Sequence, residues 1–207
     1  MKIERFALGS LGTNSYLLIN EETKEILVVD PAICPDYVLS HVKSNGYIPK
    51  GILLTHGHFD HVMGINKWVE EFGVPVYLHE EEKEILAKAN LNLSYQFGKN
   101  YSYEEVTCFT SGEEVELAGM KFRVIHTPGH TKGGCCYYFE SEEVLISGDT
   151  LFQQSVGRSD FPTGNMRILV NSIKDKLFCL PDMVMVYPGH GEYTCIADEK
   201  EFNLFVR

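Results

Sequence analysis

The sequence predicts an α/β fold of layered sheets with helices on the outside. Three observations carry this expectation. Short apolar runs and period-two segments alternate with segments of helical spacing. The alternation of strands and helices occurs twice, in two halves of similar size. The 207 residues are 44% hydrophobic and 12% aromatic, ample for a sizeable core. No linker, low-complexity tract or short repeat interrupts them, so positions 1–207 read as one domain.

The chain opens with strands at Lys2–Leu8, Ser15–Ile19 and Glu25–Val29, separated by turn chemistry at Gly9-Ser10 and Asn20-Glu21. Pro35–Asn45 reads as a short helix, with proline near its start and Gly46 just beyond its end. Gly51–Leu54 is a brief apolar run typical of a buried strand. Val62–Phe72 has helical spacing and stops at Gly73, Val74–Leu78 is a strand, and Glu80–Lys88 is a charged helix. Asn90–Glu105 is polar, aromatic and aperiodic, which predicts a long loop. From Val106 the β pattern returns, with strands at Glu114–Leu117, Lys121–His126, Gly134–Phe139 and Val144–Ser147. A helix at Met166–Phe178, a strand at Met183–Tyr187 and a helix at Ala197–Val206 complete the pattern.

Charge and composition argue against several function classes. Eighteen Lys and Arg against 29 Asp and Glu leave a net charge of −11, which repels phosphate backbones and anionic lipid. Neither nucleic acid nor a membrane surface is therefore an expected partner. No apolar run approaches the ~20 residues that span a bilayer. The opening MKIERFALGSLG lacks the apolar core of a signal peptide. The six cysteines (Cys34, Cys108, Cys135, Cys136, Cys179, Cys195) form no C-x-x-C, so a reducing, cytoplasmic setting is expected. Cys135 and Cys136 are predicted to face opposite sides of one strand as small packing residues.

One segment dominates the chemistry: Thr55-His56-Gly57-His58-Phe59-Asp60-His61, directly after a buried strand and directly before a helix. Imidazole and carboxylate suit zinc, iron or manganese, and loops beyond strand ends are common ligand sites. His56 and His58 can point the same way from an extended loop, whereas Asp60 and His61 follow the turn and face a second position. Three further signals each follow a strand beside glycine: Pro128-Gly129-His130, Gly148-Asp149-Thr150 and Pro188-Gly189-His190. A lone histidine after a strand is ordinarily a satisfied surface or core group, and His41, His79 and His126 are read that way. Five histidines and two aspartates remain, enough for two metals with three ligands each and one shared carboxylate.

The T-H-x-H-x-D-H motif at 55–61, followed in order by His130, Asp149 and His190, resembles the signature of the metallo-β-lactamase fold superfamily over nearly the whole chain. The resemblance implies an αββα four-layer sandwich of two mixed sheets, with the site at one edge. It implies that His56, His58 and His130 hold one divalent ion, that Asp60, His61 and His190 hold a second, and that Asp149 bridges them. Zinc is the expected metal, with iron or manganese as alternatives.

Within that superfamily, Gly148-Asp149-Thr150-Leu151-Phe152 and Val156-Gly157-Arg158 resemble glyoxalase II, the hydroxyacylglutathione hydrolase. This implies hydrolysis of a small-molecule acyl-thioester by a hydroxide held between the metals, with Asp60 orienting or deprotonating the nucleophile. Arg158 matches the basic residue that binds the glutathione part, and Tyr193 is a weaker candidate for the same contact. A structural pairing of Arg158 with Asp160 competes with that role. Two features depart from full-length glyoxalase II: its C-terminal helical portion has no counterpart before Arg207, and Asp160 stands where an aromatic is expected. Gly189–Thr194 and Glu199–Asn203 resemble instead the short stand-alone hydrolases of the group.

Other readings compete. A persulfide dioxygenase would hold a single iron on His56, His130 and Asp149, and Gly157–Phe161 resembles its substrate region; Pro188-Gly189-His190 and Thr150–Phe152 lean toward the hydrolase. A lactonase, β-lactamase or nuclease on the same fold would differ in its pocket loops. A structural metal site is disfavoured, because such sites are usually thiolate-rich and this set contains no cysteine.

Overall fold

Alternation along the strands sorts the apolar residues into three separate cores. In β2 (Thr13–Ile19), Tyr16 and Leu18 face one core while Leu17 and Ile19 face another. A strand buried on both faces must lie in a sheet covered on both sides. The computed structural model describes residues 1–206, and Arg207 lies outside the described residues.

The first sheet runs in spatial order β1 (Lys2–Leu8), β2, β3 (Glu25–Val29), β4 (Ile48–Leu53), β5 (Val76–His79) and β6 (Thr107–Phe109). Pairing is antiparallel from β1 to β3 and parallel from β3 to β6. Val38, Leu39 and Val42 of α1 (Asp36–Ser44) and Ile65 and Trp68 of α3 (Ile65–Phe72) bury its outer face. A short α2 (Phe59–Val62) precedes α3, and α4 (Lys83–Leu86) follows β5.

The second sheet contains β7 (Glu114–Leu117), β8 (Met120–His126), β9 (Cys135–Phe139), β10 (Val144–Gly148), β13 (Met185–Pro188) and β14 (Thr194–Cys195). Its spatial order is β14-β13-β10-β9-β8-β7, with β10 and β13 parallel. Between β10 and β13 lie a small hairpin of β11 (Leu151–Phe152) and β12 (Ser155–Val156), and then α5 (Met166–Ser172). Leu169 of α5, Ile173, Leu177 and Ile196 of α6 (Ile196–Phe202) cover the outer face. Tyr16, Leu27, Leu53, Phe122, Tyr137 and Phe139 pack between the sheets. The result is the four-layer αββα sandwich of two mixed sheets that the sequence resemblance implied. Cys135 faces the inter-sheet core and Cys136 the outer one, as their adjacency in a strand requires.

Element boundaries differ from the sequence expectation where tertiary contacts intervene. The helix expected at Val62–Phe72 is broken, because Gly64 lies against Pro31; a Cβ there would sit 2.7 Å from the Pro31 carbonyl oxygen. Glu80–Glu82 forms a 3₁₀ turn before α4, and α5 continues into a π-helical turn at Ile173–Leu177. The last helix ends at Phe202; the Asn203 backbone N still donates to the Glu199 carbonyl (3.2 Å), while its side-chain Nδ2 donates to the Ser155 carbonyl (3.0 Å). Asn90–Glu105 holds a single 3₁₀ turn, Ser94–Phe97. The β11–β12 hairpin and β14 are two-residue strands, too short to show periodicity. Among the described residues no helix is long and apolar enough to cross a membrane.

Two buried tyrosines tie the sheets together where the histidine-bearing loops begin. Tyr16 Oη donates to the Pro188 carbonyl (2.6 Å), and Tyr137 Oη donates to the Leu54 carbonyl (2.7 Å). Each bond crosses the inter-sheet core and satisfies a carbonyl at the end of a strand. Replacing Tyr137 by Phe is expected to cost about 1–3 kcal/mol of unfolding free energy, because the Leu54 carbonyl loses its best donor. Chemical denaturation measures this, and a change within about 0.5 kcal/mol would show that the bond contributes nothing net.

Candidate metal centre

Four strand ends deliver the candidate ligands to one place. His56 follows β4, His130 follows β8, Asp149 follows β10 and His190 follows β13. His58 sits at the N-terminal boundary of α2, and Asp60 and His61 lie in its single turn. Gly189 permits the approach of two of these segments, since a Cβ there would meet Asp149 Oδ1 at 2.2 Å and His61 Cε1 at 2.7 Å. Two of the convergent triads are His56/His58/His130 and Asp60/His61/His190, with the potential ligand atoms of each within 4.8 Å of one another. Asp149 reaches both: its Oδ2 is 3.5 Å from His130 Nε2 and 3.6 Å from His190 Nε2, and its Oδ1 is 3.5 Å from His61 Nε2.

The outward ring nitrogens determine what the inward ones offer. His130 Nδ1 donates to the Arg158 carbonyl (2.6 Å), and His190 Nδ1 donates to the Leu11 carbonyl (3.2 Å). A carbonyl only accepts, so these Nδ1 atoms carry the hydrogen. His61 Nδ1 donates to Asp30 Oδ2 (2.9 Å). Thr55 Oγ1 uses its own hydrogen on Asp30 Oδ2 (2.6 Å) and therefore accepts from His56 Nδ1 (3.1 Å). In the neutral rings, the Nε2 atoms of His56, His61, His130 and His190 are thus lone pairs.

Those lone pairs face one another: His130 Nε2 lies 3.3 Å from His56 Nε2, and His61 Nε2 lies 3.3 Å from His190 Nε2. His58 Nδ1 lies 2.9 Å from His130 Nε2. Facing acceptors repel unless a cation or a proton stands between them. Asp149 Oδ1, buried without a hydrogen-bond partner, adds a further uncompensated acceptor. A set of imidazole lone pairs and carboxylates with an open interior fits divalent zinc, iron or manganese.

The electrostatics separate the two triads. Burial, reinforced by neighbouring histidines, holds His56 and His58 well below their ordinary value, and burial lowers His130 as well. These rings are neutral and ready to bind. Burial also opposes charge on His61, yet Asp60, Asp149 and Asp30 overcome it and push its pKa up to about 10. His190 is raised in the same way, chiefly by Asp60 and Asp149 against the effect of burial. Burial works against ionisation of Asp60 too, but His61, His190 and Thr13 hold its carboxyl below the ordinary range. Without a metal ion, a proton on His61 would supply the positive charge that the carboxylates demand.

Comparison with known proteins agrees with this arrangement. A family profile described as "Metallo-beta-lactamase superfamily" matches residues 8–190, from β1 to the last candidate ligand. The chain belongs to the metallo-beta-lactamase superfamily. It is 36% identical to a probable metallo-hydrolase, YqgX, of Bacillus subtilis (strain 168), covering 100% of this chain and 98% of the relative. It is 32% identical to the hydroxyacylglutathione hydrolase GloC of Haemophilus influenzae (strain ATCC 51907 / DSM 11121 / KW20 / Rd), covering 100% and 98%. Among solved structures, the BLEG-1 B3 metallo-beta-lactamase superposes with a TM-score of 0.93 at 36% identity, covering 99% of each chain. TTHA1623 in a di-iron-bound form superposes with a TM-score of 0.85 at 35% identity, covering 98% of this chain and 99% of that one.

The side chains of the two candidate substrate residues have partners other than the His/Asp cluster. The Arg158 guanidinium makes a bidentate pair with Asp160 (2.9 and 2.8 Å) and lies 4.1 Å from the Phe161 ring centroid; its backbone carbonyl, not its side chain, meets His130. Tyr193 is exposed and packs beside Tyr187, with ring centroids 6.2 Å apart. The remaining histidines sit elsewhere: His41 pairs with Glu4 (2.7 Å), while His79 stacks on His126.

Sequence reasoning missed the residues behind the cluster. Asp30 accepts from Thr55 N (2.8 Å), Thr55 Oγ1 and His61, and Thr13 Oγ1 donates to Asp60 Oδ2 (2.7 Å). Asp30 carried a readable signal: a carboxylate directly after the wholly apolar run Ile26–Val29 and before Pro31.

A proton balance follows from the raised values. Because the folded pKa of His61 (about 10) exceeds the ordinary 6.5, its proton stabilises the metal-free chain fully below the ordinary value and ceases to do so as pH rises through the folded one. At neutral pH, a divalent ion taken up by His61 would therefore displace a proton. Calorimetric titration in buffers of different ionisation enthalpy is expected to show an observed enthalpy that varies with the buffer. Buffer-independent enthalpies would contradict the assigned protonation.

Proposed function

We propose that this chain is a two-metal thioester hydrolase of the glyoxalase II-like group, converting an acyl-thioester and water into a carboxylic acid and a thiol. The observation that carries the reading is the second triad. Asp60, His61 and His190 form a second convergent donor set, one carboxylate and two imidazoles, beside the three imidazoles of His56, His58 and His130, and Asp149 reaches both sets. A single-iron dioxygenase would use only His56, His130 and Asp149. The likeness to GloC over the whole chain supports the thioester class.

Two divalent ions held by these residues would lower the pKa of a water and polarise the thioester carbonyl. The chain's own groups supply the rest. Asp60, kept ionised and fixed by Thr13, accepts a hydrogen bond from a water and orients it. Aromatic rings flank the donors: Phe161 stands edge-on to His58 (5.7 Å), Phe152 edge-on to His190 (6.2 Å), and Phe59 stacks on the exposed Phe97 (4.4 Å). Such walls suit a short acyl group and exclude bulk water from it. The Arg158–Asp160 pair is exposed on both sides and therefore weak, so the guanidinium can exchange Asp160 for a substrate carboxylate.

A panel of substrates run on protein of measured metal content tests the reading. Lactoylglutathione and other acyl-thioesters are expected to be hydrolysed by the two-metal form. One iron per chain with oxygen consumption on a persulfide would replace this reading with the dioxygenase, and turnover of a β-lactam or lactone alone would replace it with those hydrolases. Asp60→Asn is expected to lower kcat by about 10²–10⁴-fold. Arg158→Ala is expected to raise KM for an anionic thioester with little change in kcat, and an unchanged KM would assign Arg158 to its pairing with Asp160 alone.

A further inference from the structure

Outside the donor cluster lies a carboxylate with no solvent contact and no place in the proposed reaction. Glu82 ends the 3₁₀ turn that follows β5 and is wholly buried. Its Oε1 accepts from the backbone N of Gly57 (2.8 Å), the residue between His56 and His58. Its Oε2 accepts from Thr131 Oγ1 (2.9 Å) and from the backbone N of Gly133 (2.9 Å), just after His130. One side chain thus fastens the loop after β4 to the loop after β8, and these two loops carry all three histidines of the first triad.

The packing around this junction is as close as backbone allows. A Cβ on Gly133 would lie 2.2 Å from Glu82 N and 2.4 Å from Glu81 C, and one on Gly57 would lie 3.0 Å from Leu86 N. On the outer side, Lys132 Nζ pairs with Glu84 Oε2 (2.5 Å), so the same two segments are joined at the surface as well. The three accepted bonds engage both carboxyl oxygens, and an apolar side chain here would strand two buried N–H groups. The second triad receives none of these bonds: Asp60 is held by Thr13, His61 by Asp30 and His190 by the Leu11 carbonyl.

We infer that Glu82 is a positioning residue for the first triad, setting the mutual approach of His56, His58 and His130 and hence the affinity of the ion they hold, while leaving the second triad unaffected. The inference rests on the metal-ligand reading above. Replacing Glu82 by Gln keeps the shape but turns an NH₂ toward either Gly57 N or the Thr131 and Gly133 donors. One loop is then released without opening a cavity.

The test is a cobalt(II) titration of the full chain, stripped of metal and followed by visible absorption with a competing chelator. The parent protein is expected to bind two ions. In Glu82→Gln, one ion is expected to bind roughly 10–100-fold more weakly with an altered visible spectrum, while the other keeps its parental affinity. The weakened ion is the one lost in His130→Ala and retained in His190→Ala. Thr131→Val, which removes one donor to the same carboxylate, is expected to shift the same ion in the same direction by a smaller factor. Parental affinity and spectrum for both ions in both variants would overturn the inference, as would equal weakening of both ions. Should Glu82→Gln fail to fold by circular dichroism, Thr131→Val decides, and parental cobalt binding by it overturns the inference. A parent protein that binds no cobalt would overturn the ligand reading itself, and with it this one.

Discussion

Each of four imidazoles at the heart of this protein has its outer nitrogen occupied, and that constraint organises everything around it. The Arg158 and Leu11 carbonyls, the Thr55 hydroxyl and the Asp30 carboxylate each accept from a Nδ1. Their effect is to turn lone pairs inward, where Asp60 and Asp149 add negative charge. The cluster is therefore a pocket of acceptors awaiting cations, and its own protons serve where cations are missing.

The sandwich exists, in functional terms, to hold those outer partners still. Asp30 follows β3, Thr55 follows β4, Leu11 precedes β2, and Arg158 follows the β11–β12 hairpin. A shift of either sheet would move acceptors relative to rings. The buried hydroxyls of Tyr16 and Tyr137 oppose that shift by bonding each sheet to a strand end of the other. Glu82 performs a related task in the loops, and Glu199 does so at the far side. Buried beneath the hairpin, Glu199 accepts from Gln154 N (2.9 Å), Thr194 Oγ1 (2.7 Å) and Asn203 Nδ2 (2.7 Å). Carboxylates with every oxygen engaged are costly to bury but specify one geometry.

The inward-facing donors were legible in the sequence because each lies beside a local signal, a strand end and a glycine, and because three histidines and an aspartate in six positions have no structural reason to crowd. The opposite placement of Cys135 and Cys136 was legible for a similar local reason, the period-two geometry of a strand. The outer partners were less legible: Asp30 carried a local signal at a strand end, but nothing in the chain named the ring it serves. Two of them are backbone carbonyls, which carry no sequence identity. Asp30 stands 31 positions from the histidine it supports, and Glu82 sits in a run of three glutamates whose other members look identical from the chain alone. The broken helix at Gly64 has the same origin: it depends on Pro31, a contact that local propensity does not contain. Arg158 shows the complementary case, a side chain with a strong motif whose observed partner is Asp160.

The fold presets which nitrogen of each ring is free, and long-range proton–nitrogen correlation spectra of the imidazoles during a zinc titration read this out. Nδ1 is expected to carry the hydrogen in His56, His61, His130 and His190. Their Nε2 atoms, together with Nδ1 of His58, are the nitrogens whose resonances are expected to move as zinc binds. A hydrogen found on Nε2 of zinc-loaded His130 or His190, or ring nitrogens indifferent to zinc, would contradict this presetting.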